Sequence, residues 1–158
     1  MPPNSLDILK QTYEFLIEEY GFRVKHAQYS PGFMGNSQII YELNDIAISI
    51  VVDRGQVLIN IGSATKPVKE WFEFTDIVHF FDPNLDKVYD FFENMDNANE
   101  RIIQQANRLA QLLRKYCNPI LKGDISMGPK IKEIEIERVA ELLAHLKSLS
   151  PKKKIEGS

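Results

Sequence analysis

The chain has 158 residues, 44% hydrophobic and 26% charged, which is the size and make-up of a single domain with a real apolar core. Its net charge is −3 (19 basic and 22 acidic residues), so composition gives no general case for nucleic-acid binding, which needs a clustered positive surface. The single cysteine, Cys117, excludes an internal disulfide framework and points to a reducing cytoplasm, and no apolar run approaches the roughly 20 residues of a membrane span.

In chain order, Leu6, Leu9, Tyr13, Leu16 and Tyr20 recur at steps of three and four, predicting a helix from about Ser5 to Tyr20 with Asn4 or Ser5 as cap and Gly21 closing its end. The period then changes to two. Arg23–Tyr29 reads as a strand and Ser30–Asn36 as a loop. Gln38–Leu43, Ile46–Val52 and Gln56–Ile61 read as further strands, joined by Asn44-Asp45 and Asp53-Arg54-Gly55. Connections this short force antiparallel neighbours, so a four-stranded meander follows. The aromatic segment Val68–Phe81 reads as one or two short helices, and Asp82-Pro83 as the start of another. Ala98–Cys117 carries Ile102, Ala106, Leu109, Leu113 and Tyr116 on one stripe. After a Gly123–Pro129 loop, Ile134–Leu149 places Val139, Leu142, Leu146 and Leu149 on one face, although Ile134-Glu-Ile136-Glu alternates like a strand, leaving 131–137 open between the two. The expectation is one α+β domain over 1–150, with an N-terminal helix, a four-stranded antiparallel meander and three or four C-terminal helices, followed by a flexible tail at 151–158.

Asp82, Asn84, Asp86, Asp90 and Glu93 fall at positions 1, 3, 5, 9 and 12 of a calcium-loop pattern, yet the sixth position, which must turn sharply, is Lys87. Leu85, Val88, Tyr89 and Phe92 repeat at helical spacing through the same stretch. An amphipathic helix capped by Asp82 is therefore the expectation, and no metal site is assigned. His26, His79 and His145 are unpaired with other ligands, and Cys117 lacks a nearby histidine, so no catalytic residue and no cofactor is assigned either.

Charge is more telling. From Val68 to Glu100 nine acids stand against two lysines, net −7, while from Arg101 to Lys132 seven bases stand against Asp124. Two neighbouring helices of complementary charge, or an acidic surface that steers a basic partner, would each explain this. The acids at Asp86, Asp90 and Glu93 are candidate partner contacts. So are Trp71 as an interface anchor and Tyr29, Phe33 and Met34 as an apolar loop tip.

Phe15-Leu-Ile-Glu-Glu-Tyr-Gly-Phe22, Tyr41-Glu-Leu-Asn-Asp45 and Ile48-Ser-Ile-Val-Val-Asp-Arg54 resemble stretches of small bacterial proteins of the kind that serve as immunity partners of secreted toxins. The resemblance covers about the first 80 residues and implies a binding role without supplying site residues. The expectation is a non-enzymatic protein-binding module using an acidic helical face or an open sheet face. The expected partner is a protein, a second copy of the chain among the candidates, and neither nucleic acid nor membrane is expected. The alternatives are an enzyme whose site assembles only in three dimensions near His79 and Asp82, or a homodimeric adaptor resembling a secretion chaperone.

Overall fold

The computed structural model describes residues 3–33 and 35–149; the expected tail at 151–158 lies outside them. Order begins with a reciprocal cap. The Asn4 side chain accepts the Asp7 N–H at 2.9 Å, and the Asp7 carboxylate accepts the Asn4 N–H at 3.1 Å. This starts α1 (Ser5–Thr12), followed by α2 (Glu14–Glu18) after a step at Tyr13, where a single helix was expected. Gly21, at φ +83°, closes the pair as expected, with its N–H on Ile17 C=O and the next N–H on Leu16 C=O.

The sheet is antiparallel in strict chain order: β1 (Arg23–Ser30), β2 (Asn36–Leu43), β3 (Ile46–Asp53), β4 (Gln56–Ser63) and β5 (Phe72–Glu73). The meander is present with one strand more than expected, because part of the aromatic segment pairs through Ile61 with Phe72 and Asn60 with Glu73. Arg54 and Gly55 both take positive φ, the tight-hairpin geometry whose twist suits the flanking strands. One face is a grid of apolar rows, Ile39–Ile50–Ile59 and Tyr41–Ile48–Ile61, all buried under the helices. Each such side chain contributes about 1.5–3 kcal/mol of burial.

The segment after β4 departs from expectation. Val68–Glu70 is a single 3-10 turn, β5 follows, and only Phe74–Phe81 is helical (α3), capped by Glu73 accepting the Thr75 N–H at 2.8 Å. The helix expected from Asp82 does not form; residues 82–97 have neither helix nor strand. Asp82 and Asp90 explain part of this. Each turns its carboxylate onto the N–H two residues ahead (Asn84 at 3.2 Å, Phe92 at 3.0 Å), a local bond that competes with helical turns.

Asn97 then caps α4 (Ala98–Tyr116), whose expected stripe of Ile102, Ala106, Leu109 and Leu113 is buried. A short α5 (Asn118–Leu121) leads to α6 (Gly128–Leu149), which settles 131–137 as helix. Helix α4 seals the sheet. Beyond β5, the edge of β4 carries unpaired backbone groups, and Gln105, itself buried, accepts Val57 N–H at 2.9 Å and donates to Gly55 C=O at 2.8 Å. Tyr89 completes the edge, its hydroxyl accepting from Ile59 N–H at 3.1 Å and donating to Ile59 C=O at 3.4 Å. Two side chains thus do for β4 what another strand would.

Candidate functional site

The acidic segment 82–97 is anchored at several points between 82 and 91, while its acids beyond Asp82 are exposed. The Asp82 carboxylate accepts from Tyr116 Oη at 2.7 Å, and this bond holds its carboxyl below the usual range, with partial burial opposing and the Asn84 N–H assisting. The His79 ring bonds Leu85 C=O at 2.9 Å, and Arg108 of α4 donates to the carbonyls of Val88 and Lys87 at 3.2 and 2.6 Å. Val88 is buried, and the Tyr89 ring stacks on Phe91 with 5.6 Å between centroids. Asp86, Asp90 and Glu93 are exposed, and none of them forms a salt bridge among the described residues. The expected complementary helix pair is therefore absent. Arg114 of α4 instead forks onto Glu19, just past the end of α2, at 2.9 and 2.7 Å and lies over Phe15.

The second face of the sheet is mostly polar: Gln38, Glu42, Ser49 and Asn60, with Arg23 and Lys25 of β1 both on Glu42 at 3.0 and 2.9 Å. These two cations, Lys25 first, hold the Glu42 carboxyl below its ordinary value. Trp71 covers one end of this face. A Cβ at Gly62 would lie 2.4 Å from the indole, so only glycine admits the ring there, and Trp71 Nε1 donates to Lys66 C=O at 2.9 Å. The indole is buried, not presented. Tyr29 lies at the other end and on the other face, in the row of Ser37, Val52 and Val57; five residues separate the two rows, about 17 Å along a strand. Its ring rests near Gly35, Phe33 belongs to a single 3-10 turn, and Met34 lies outside the described residues. Among the described candidates the three acids share one segment, while Trp71 and Tyr29 are far apart on opposite faces of the sheet.

What sequence reasoning missed is how little of α6 the body covers. Ile131 is buried, and Arg138 forks onto the fully buried Asp76 of α3 at 2.7 and 2.9 Å. From Val139 to Leu149 every residue is exposed. Val139, Leu142, Leu143 and Leu149 show 40%, 49%, 60% and 64% of their surface, and Ile136 58%. The stripe itself was legible; Ile136 and Leu143, seven apart, widen it.

Between α6 and the end of β3–β4 lies a cavity of about 170 Å³, lined by Ile46, Ile61, Phe72, Ile77, Ile120 and Ile131, with Asp45 the one ionisable side chain among the described lining residues. It is smaller than the 300–1,000 Å³ typical of ligand pockets and offers no converging polar groups. No family model, curated protein or solved structure matches the chain.

The reactive side chains are scattered or engaged. His26 and His145 are exposed on β1 and α6; His79 and Asp82 are each held by a structural partner, and Glu70 is exposed on the 3-10 turn. Burial pushes the Cys117 thiol up to about 12, far from thiolate chemistry at neutral pH. Among the described residues no three His, Cys, Asp or Glu gather at metal-binding distance, and no helix is long and apolar enough to cross a membrane.

Proposed function

We propose that the chain is a non-enzymatic protein-binding module whose contact element is the outer half of α6. The observation that carries this is the exposed stripe through Val139, Leu142, Leu143 and Leu149, on a helix whose residues 139–149 are all exposed. Isolated helical turns are marginal in water, and an exposed apolar stripe is stabilised by a surface that covers it. The enzyme alternative has less support, since His79 and Asp82 hold backbone and tyrosine partners and the apolar cavity gathers no reacting groups. One buried thiol fits a reducing compartment, and the cytoplasm is the location we propose.

Capture from native lysate by the tagged full chain, compared with Leu142→Glu/Leu149→Glu, tests the reading: a stoichiometric partner retained equally by both removes α6 from it. A second reading rests on Asp86, Asp90 and Glu93, exposed and without salt bridges among the described residues, and would suit a basic partner such as the toxin of an immunity pair. Reversing those three to lysine separates it, because steered association slows and loses its salt dependence only if these acids face the partner.

A further inference from the structure

Arg138 marks a boundary on α6. Before it, the helix lies on its own body through Ile131 and the ion pair to Asp76; after it, no residue is covered. The docking line itself runs on past the boundary. Leu142 comes about three turns after Ile131 and Leu149 about five, so both continue the same line. Val139 and Leu146 lie beside that line, and Leu143 and Ile136 flank it.

We infer that the partner covering this stripe is a second copy of the chain, with its α6 laid antiparallel along the first over residues 139–149. This rests on reading α6 as the contact element and names what it contacts. The register supports it. Val139, Leu142, Leu146 and Leu149 are separated by three, four and three residues, an order that reads the same in both directions. A twofold axis level with residue 144 therefore layers Val139 on Leu149 and Leu142 on Leu146, every layer apolar and the interface isologous.

Space supports it too. Packed helices lie about 8–10 Å apart, and in a parallel pair both bodies, each seated on the Ile131–Arg138 stretch, would compete for the same side of the interface. Antiparallel helices put the bodies at opposite ends. The area reaches the threshold: the five half-exposed apolar side chains of 139–149, at about 100 Å² each, give about 1,000 Å² over two copies, the least expected of a specific interface. An anionic membrane is a poorer match, because from Glu133 to Leu149 four glutamates outnumber Arg138 and Lys147, whereas surface-seeking helices are rich in lysine and arginine.

Gel filtration with light scattering over a dilution series tests the pairing. Wild type should elute at twice the 18.2 kDa of one chain. Leu142→Glu and Leu146→Lys should each elute at the single mass with unchanged circular dichroism. Ala144→Glu, on the opposite side of the helix, should keep the double mass. Mixing Leu142→Glu with Leu146→Lys should restore the double mass as a one-to-one heterodimer, since only the antiparallel register sets the new glutamate against the new lysine. Wild type at the single mass overturns the second copy, as does Leu142→Glu at the double mass or a mixture that stays monomeric. So does monomeric wild type that co-sediments with phosphatidylserine vesicles. If wild type is monomeric but Leu142→Glu loses a heterologous partner in the capture experiment, the contact element stands and only its occupant was wrong; unchanged capture ends both.

Discussion

Replacing Arg138 with methionine probes the joint between α6 and the body. Asp76 is fully buried, and both carboxylate oxygens are taken by the guanidinium, so the substitution leaves a buried charge without its partner. Severing a buried pair on one side costs about 3–5 kcal/mol. The Arg138 side chain is 38% exposed, however, so water reaches the vacated position, and the expected loss is about 2–3 kcal/mol. With a urea slope of about 2 kcal/mol/M, the midpoint falls by about 1 M. The assay is urea unfolding followed through Trp71, the single tryptophan. The double variant Asp76→Leu/Arg138→Met removes the stranded charge and should return to within about 1 kcal/mol of wild type. A single variant within about 0.5 kcal/mol of wild type, or a double variant no better than the single, would refute the joint.

Gln105→Ala strands Val57 N–H and Gly55 C=O at the β4 edge and should lose about 2–3 kcal/mol, with light scattering rising on storage as that edge is uncovered. Gly62→Ala places a methyl group inside the Trp71 ring and should shift tryptophan emission to the red while costing about 1–3 kcal/mol in urea. Cys117, with its thiol pushed up to about 12, should resist Ellman's reagent in the native state at pH 8 and react fully in denaturant; rapid native reaction would contradict its burial. Asp82 titrates below its unfolded value because Tyr116 donates to it, so its stabilisation is present above the unfolded carboxyl range and is lost as pH falls through the folded one. Tyr116→Phe should therefore lower the melting temperature at neutral pH and bring the two proteins together in acid.

The first helix turns and the meander were readable because each is written in local periodicity: steps of three and four up to Tyr20, alternation from Ile46 to Ile61. Segment 82–97 was misread because Leu85, Val88, Tyr89 and Phe92 carry a helical spacing that their partners override. Tyr89 is drawn to the β4 edge 30 residues back, Arg108 takes carbonyls that a helix would use, and Phe92 sits at φ +49°, outside helical geometry. The two-residue β5 was hidden for a similar reason, its pairing with Asn60 and Ile61 being decided by the sheet. For α6 the stripe was visible and its exposure was not, since no local pattern says whether a surface elsewhere in the fold reaches that far. Of the candidate contacts, the three acids are exposed, while Trp71 lies against Gly62, a close approach that only the paired strands reveal.

The seal on β4 has a consequence for synthesis. Gln105 lies 48 residues after the Val57 N–H it binds, so a ribosome moving at about 5–20 residues per second adds Val57 about 2–10 seconds before the amide that closes this edge exists. During that interval the nascent meander presents a bare ladder of donors and acceptors. Crowded polysomes, or a message truncated before codon 105, are where this protein would first be found in inclusion bodies.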